Sequence, residues 1–481
     1  MRDSATRMLR WLPLAVFLYG SAAAYTFAFH LYARQGMVEA TVDLNGFGAL
    51  ARNLAQGHGF SFGNGPTVRR APLYPLLAAA ALSGYGGELK GRGLAVYRPV
   101  ILLNCGLFGL TCLTVWAIAR RLFGPQVALL AAALCPFVPQ AVRYMGMTEV
   151  ETLMGLLLAC LALFGLQLAE RPTLAHGACF GLTAAAAVLT KPVLLFYPCV
   201  FVVTAVWQWR RDGLALRGMA PAIAALFFSF VTPLVPWSLR NASVTEGRFY
   251  GISSNGPAEF LRGYINAQPK YYLLRQDFGG SDPNTEKWDP EANAYEQQLL
   301  AAHGVAYARC GPGEDGNVLC KPAPPADKTA AQLELQKDAI EAAEVKRRVL
   351  AQPLEFLHKL TVQLFTFWYV VETRKKSLLV GAIALTFLTL AALGVGSARR
   401  RHALVWPVAA VLLYVNAIYA VFLAFARYSM PLYPTLTALS AGGLAALAER
   451  ALRALKVRRG TSESAGPAAS PCPPQSPADT R

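Results

Sequence analysis

Charge is what this 481-residue chain has least of: Asp, Glu, Lys and Arg make up 15% of it, against 54% hydrophobic residues. A soluble protein of that length could not hide such an excess in its core, so lipid is the expected solvent. Several catalytic signatures are also missing. There is no Walker loop, no dinucleotide glycine pattern after a strand, no HExxH and no close Cys/His cluster, which leaves nucleotide-driven chemistry unsupported. Charged side chains avoid the middle of the apolar runs, and no internal repeat is evident. Both absences argue against the rival reading of a lipid or glycan transporter or flippase.

The apolar residues fall in runs near the roughly 20 that a helix needs to cross about 30 Å of hydrocarbon. Spans are expected near 11–33, 99–119, 126–142, 150–169, 174–190, 193–209, 218–237, 377–398, 403–425 and 431–448. The expected fold is a mostly α membrane protein of about ten transmembrane helices with outer juxtamembrane helices, plus a mixed α/β or irregular periplasmic domain. Residues 1–237 form an N-terminal membrane module of seven spans, whose first is read as a retained helix and whose first external loop is 34–98. Residues 238–376 form the periplasmic domain, 377–448 a C-terminal module of three spans, and 449–481 a basic and disordered cytoplasmic tail.

The formal charge of +17 is topological. Clusters at Arg120 and Arg121, Arg210 to Arg217, Arg399 to Arg401 and Arg450 to Arg459 mark the cytoplasmic side. Cytoplasmic segments carry 18 basic and 6 acidic residues, while 238–376 carries 17 of each. The excess therefore suits anionic membrane lipids, and no nucleic-acid partner is expected. Both termini are placed in the cytoplasm of a multi-pass protein of the bacterial inner membrane. By the same parity the apolar stretches 72–82 and 353–371 rest at the outer surface without crossing.

Six cysteines lie in apolar runs and read as small hydrophobes. Cys310 and Cys320 are the cysteines of the external segment. A disulfide between them, worth about 3 kcal/mol, is expected, with two free thiols as the alternative.

Loop 34–98 is too long for an ordinary connection. After Asp43, apolar residues recur at helical spacing through Leu54, predicting a short amphipathic helix on the membrane, capped by Asp43. The outward face gathers Asp43, Arg69, Arg70, Arg98, Arg143, Glu149, Glu151, Lys191, Arg240 and Arg427. A few acids among many bases suit an anionic substrate. A carboxylate can take a proton from an acceptor hydroxyl or help bind a divalent cation, magnesium or manganese. Arg and Lys can hold a phosphate and stabilise it as a leaving group. Each residue also has a plainer role open to it: Asp43 as a cap, and Arg98, Arg143 and Arg240 as headgroup anchors.

The run Asp43-Leu-Asn-Gly-Phe47, Ala51-Arg-Asn-Leu54, Gly57-His-Gly-Phe-Ser61 and Arg70-Ala-Pro-Leu-Tyr-Pro75 resembles the first external loop of the bacterial dolichyl-phosphate-mannose protein mannosyltransferase superfamily. These are glycosyltransferases of the C-type fold, and the group includes the lipid A aminoarabinose transferases. Arg120-Arg-Leu-Phe-Gly124, Thr148-Glu149, Leu189-Thr-Lys-Pro192, Pro236-Trp-Ser-Leu-Arg-Asn241 and Arg427-Tyr-Ser-Met-Pro-Leu-Tyr-Pro434 follow in the matching order. The resemblance implies an inverting enzyme that takes a sugar from a polyprenyl-phosphate carrier on the periplasmic side and passes it to a lipid, protein or glycan acceptor. It implies Asp43 as the catalytic or metal-binding carboxylate, Glu149 as a second acid, and Arg70 near the carrier phosphate. Arg69, Tyr74, Lys191, Arg240 and Arg427 complete the expected substrate contacts. Leu44 and Phe47 stand where many relatives have a second acid and a tyrosine, and Ala71 where some aminoarabinose transferases have a lysine.

Overall fold

A computed structural model describes residues 2–35, 43, 45–63, 65–84, 94–138, 144–276, 290–305, 309–312, 318–321 and 328–463. In lipid every backbone polar group must pair within its own segment, and a chain this rich in Leu, Ala and Val meets that demand as helix. α1 (Arg2–Gln35) precedes two short helices, α2 (Phe47–Ala55) and α3 (Leu73–Ser83). The N-terminal membrane part continues with α4 (Leu94–Phe123), α5 (Pro125–Leu134), α6 (Glu151–Glu170), α7 (Leu174–Thr190), α8 (Tyr197–Arg211), α9 (Leu216–Val231) and α10 (Leu234–Val244). The next part holds α11 (Gly256–Asn266), α12 (Pro269–Tyr272), α13 (Pro290–Ala302), strands β1 (Arg309–Pro312) and β2 (Val318–Lys321), α14 (Ala330–Ala351) and α15 (Pro353–Tyr369). Last come α16 (Arg374–Arg400), α17 (Trp406–Val421), α18 (Ala426–Ser429) and α19 (Tyr433–Glu463).

Among the described residues six segments are long and apolar enough to cross a membrane: Trp11–His30, Val96–Phe123, Glu151–Glu170, Pro192–Arg211, Leu216–Val244 and Arg374–Arg400. Of the other expected spans, three are the shorter apolar helices Pro125–Phe137, α7 of 17 residues and α17 of 16, and the last is the first part of α19. α7 stops at Lys191-Pro192, where proline disfavours continuing the helix, and α17 stops at Val421, six residues before Arg427. Both helices end where the chain turns into the site described below. α16 and α19 cross with backbones touching: a Cβ at Gly443 would lie 2.0 Å from the Leu390 carbonyl oxygen. Only glycine permits that approach, which is how helices gain contact where lipid supplies no hydrophobic drive.

Among the described residues, the segment 238–376 beyond α10 is mainly helical, with one antiparallel hairpin. Thr329 and Gln332 close a reciprocal capping box that starts α14. In the hairpin Cys310 stands opposite Cys320, while their side chains lie outside the described set. Two expectations shift. α2 has Phe47 to Asn53 all buried, so its apolar face meets protein instead of lipid, packing on α3 and α4. α19 remains helical through the basic stretch to Glu463, so residues 449–463 are not part of a disordered tail. Ala, Leu, Arg and Lys are strong helix formers, which accounts for that extension; residues 464–481 lie outside the described set.

Candidate functional site

The site forms at one end of the membrane helices, where α6 and α19 begin and α7 and α17 end. Asp43 enters it from the segment between α1 and α2. Its Oδ2 accepts the backbone N–H of Ala49 at 2.8 Å, inside the first turn of α2, where the helix dipole favours an anion. The residue at the cap position itself is Gly46, whose φ of 76° turns the chain back toward the helix. Gly48 is needed for a different reason. A Cβ there would sit 3.0 Å from Asp43 Oδ2 and 2.9 Å from the Thr148 hydroxyl. Burial pushes the Asp43 carboxyl above its ordinary range, and the N–H groups of Gly48 and Ala49 with the Thr148 hydroxyl pull it back only in part. Its Oδ1 is buried with no hydrogen-bond partner among the described residues.

Beside it lies a network of acids and bases. Arg427 donates from Nη2 to Glu149 Oε2 at 2.7 Å and from Nε to Glu151 Oε1 at 2.8 Å, with its guanidinium 5.1 Å from the Tyr144 ring. Glu149 and Glu151 stand at the start of α6, a favourable place for negative charge. Lys191, just past the C-terminus of α7, lies 4.0 Å from Glu151 Oε1 and over the rings of Tyr428 and Tyr419, which stack 4.6 Å apart. Burial, with the Glu151 and Asp43 charges nearby, holds Glu149 up at about 7 against the pull of Arg427.

Asn45 joins Arg70 to this network. Its backbone N–H and side-chain amide donate to the two Glu149 oxygens at 3.0 and 2.9 Å, while its carbonyl and side-chain oxygens accept from Arg70 at 3.3 and 3.5 Å. Those last two bonds are long, so Arg70 is held in place without being consumed. Its guanidinium also lies 5.4 Å from the Phe47 ring. Asn45 belongs to the motif around Asp43, and its neighbourhood is the signal that could have found it.

Other expected residues are placed differently. Tyr74 is fully buried beneath α2, its hydroxyl donating to Asn104 at 3.3 Å, and Asn104 in turn donates to the carbonyls of Met145 and Met147. Tyr74 therefore supports the approach to Thr148 and Glu149. Arg240 spends its guanidinium on the carbonyls of Thr67 (2.6 Å) and Phe60 (3.2 Å), set between the rings of Phe60 and Trp237. It braces the loop that carries Arg69 and Arg70. Arg69 is half-buried, with its charge felt by Glu296 of α13 and Glu334 of α14. Arg98 is exposed near the Phe29 ring, and Arg143 lies outside the described residues.

Residues 90–237 match the family model of the dolichyl-phosphate-mannose-protein mannosyltransferases. The chain is similar in fold to an archaeal oligosaccharyltransferase, AglB from Archaeoglobus fulgidus, in complex with an inhibitory peptide and a dolichol-phosphate. The TM-score is 0.51 at 13% identity, covering 96% of this chain and 53% of that one. The fold is that of the C-type glycosyltransferases. A second structure of the Archaeoglobus oligosaccharyltransferase, tethered to an acceptor peptide, gives a TM-score of 0.50 at 14% identity over 92% of this chain and 50% of that one. ArnT from Cupriavidus metallidurans bound to undecaprenyl phosphate aligns over 90% of this chain and 77% of its own at 15% identity, with a TM-score of 0.33. This chain thus spans about half the length of the archaeal enzyme it matches. No curated protein matches it in sequence. The resemblance read from the motifs is borne out by the family model and the fold.

Within this C-type fold the loop that carries Arg69 and Arg70 is also tied to α14. The Glu334 carboxylate accepts the Thr67 hydroxyl at 2.6 Å and the Val68 N–H at 2.9 Å, immediately before Arg69 and Arg70. Glu334→Ala is expected to leave two buried donors unpaired, at a cost of about 2 kcal/mol or roughly thirtyfold in local opening. Hydrogen exchange at Val68 should accelerate by that factor; an unchanged rate would show that the tie is not made. For a divalent cation the donor set is thin. Among the described residues no three His, Cys, Asp or Glu side chains gather as a metal site, and Arg427 already engages Glu149 and Glu151. Asp43 Oδ1 and Glu151 Oε2 are the buried carboxylate oxygens there without a partner. A hard cation at Asp43 would have to complete its shell from substrate phosphate and water.

Proposed function

We propose that the protein is an inverting glycosyltransferase that moves a sugar from a polyprenyl-phosphate carrier to an acceptor hydroxyl on the periplasmic side of the bacterial inner membrane, with both termini cytoplasmic. The observation that carries this reading is the pairing, at one end of the membrane helices, of Asp43, whose buried Oδ1 has no hydrogen-bond partner among the described residues and whose charge is felt by Glu149, with the loosely held Arg70, which Asn45 joins to Glu149. Asp43 takes the proton of the acceptor hydroxyl. The acceptor oxygen bonds to the anomeric carbon as the bond to the phosphate oxygen breaks, and the electron pair leaves with the polyprenyl phosphate. Arg70, aided by Arg69, Lys191 and Arg427, neutralises that leaving group. A single displacement inverts the anomeric centre. A magnesium or manganese ion on Asp43 would add charge neutralisation at the phosphate.

The direct test supplies purified protein in lipid nanodiscs with polyprenyl-phosphate sugars, hexosyl and pentosyl, and follows labelled sugar onto acceptors drawn from envelope extracts. Free polyprenyl phosphate should appear in step with product. Binding or translocation of the donor without its cleavage would overturn the reading. The pH profile gives a second arm. As pH falls through about 7, Glu149 takes up a proton and loosens its hold on Arg427 and Asn45, so transfer should decline on that acid limb. Glu149→Gln, which cannot titrate, should lack the limb.

A further inference from the structure

Helix α15 lies outside the six long membrane segments, yet one of its faces is buried and polar. Lys359 and Gln363 are fully buried and Thr366 nearly so, at spacings of four and three that put them on one stripe, which Val370 continues. Lys359 Nζ donates to the carbonyls of Val421 and, at 3.4 Å, Ala420, in the last turn of α17. The Thr366 hydroxyl donates to the Ala424 carbonyl at 3.3 Å, and the Val370 carbonyl accepts the N–H of Ala426 at 2.9 Å. Gln363 reaches the other way, donating to the Gly263 carbonyl of α11 at 2.6 Å.

The chain held in this way is the short link between α17 and α18. Tyr419 precedes it and Arg427 and Tyr428 follow it. Those residues clamp Glu149 and Glu151 and enclose Lys191. At the link the carbonyls of α17 have run out of helical partners, and Lys359 supplies a cation at the negative end of the helix dipole. The ammonium sits among the rings of Phe260 (4.2 Å), Tyr264 (5.5 Å) and Phe356 (6.0 Å). Burial there pulls its pKa down to about 7. A methionine would fill the same space without that desolvation cost, but it would leave the two carbonyls bare.

We infer that Lys359 is a positioning residue for Arg427: through the Ala420 and Val421 carbonyls, α15 of the external segment fixes the path of the link that delivers the arginine to the two buried acids. The kinetic part of the test rests on the proposed transfer reaction; the exchange part does not. In the full chain in nanodiscs, Lys359→Met should speed amide exchange across 422–428 about tenfold, with α14 exchange and Tm near those of the native chain. It should lower kcat for transfer ten- to a hundredfold at little changed donor KM, and Lys359→Arg should restore part of both. Thr366→Val, which removes one bond to the same link, should shift both readouts in the same direction by less, and it decides the matter should Lys359→Met not fold. Unchanged exchange at 422–428, or a loss spread evenly over the molecule, overturns the inference. A native chain that transfers no sugar overturns the proposed function and leaves the exchange result to judge Lys359.

Discussion

Replacing Arg427 with methionine is expected to cost about 3–5 kcal/mol of stability and to abolish transfer. The guanidinium is the shared partner of two carboxylates that are themselves almost wholly buried, Glu149 at 0% and Glu151 at 4% exposure. Glu149 would keep its two bonds from Asn45, but Glu151 would be left, among the described residues, with Lys191 at 4.0 Å as its paired cation. Removing one member of a buried ionic cluster leaves the others uncompensated, and that remainder carries most of the cost. Thermal unfolding in detergent should show it as a large fall in Tm. The control is the triple variant Arg427→Met, Glu149→Gln, Glu151→Gln, which takes out the stranded charge. It should recover most of the stability and none of the transfer, separating the structural part of the cluster from its chemistry. A single variant as stable as the native chain would contradict the ionic geometry itself.

How much of this was legible in the sequence depends on the range of the interaction. Local signals read well. The stretch from Asp43 to Leu54 gave both the helix and the acid at its start, because the Ala49 N–H lies only six residues from Asp43. Run length found the apolar segments and set α7 at its observed bounds, but it could not tell that α17, expected over 403–425, stops at Val421, since hydropathy varies smoothly where the backbone is broken for the site. Amphipathic periodicity gave α2 an apolar face and could not say whether lipid or protein covers it. Long-range commitments were out of reach. A helix-end arginine looks alike whether it meets a substrate phosphate, as expected of Arg240, anchors at a headgroup, its plainer role, or spends itself on carbonyls 173 and 180 residues away. The same holds for Glu334 and Lys359, whose partners come from other parts of the chain.

Asp43→Asn should lower transfer about a hundred- to ten-thousandfold, the range expected for loss of a positioned proton acceptor, while the protein folds as before. Asparagine keeps an oxygen for the Ala49 N–H, so α2 retains its cap, and the amide is nearly the size of the carboxylate in the space Gly48 leaves open. Asp43→Ala would remove the cap as well and mix a stability loss into the measurement. The neutral variant has a second signature that simple misfolding cannot imitate. The Asp43 charge is one of the influences holding Glu149 up at about 7, so neutralising it should move the acid limb of the remaining activity to lower pH. A variant with native turnover would remove Asp43 from the chemistry. One with low turnover and an unmoved limb would put the aspartate at a distance from Glu149 that this geometry does not allow.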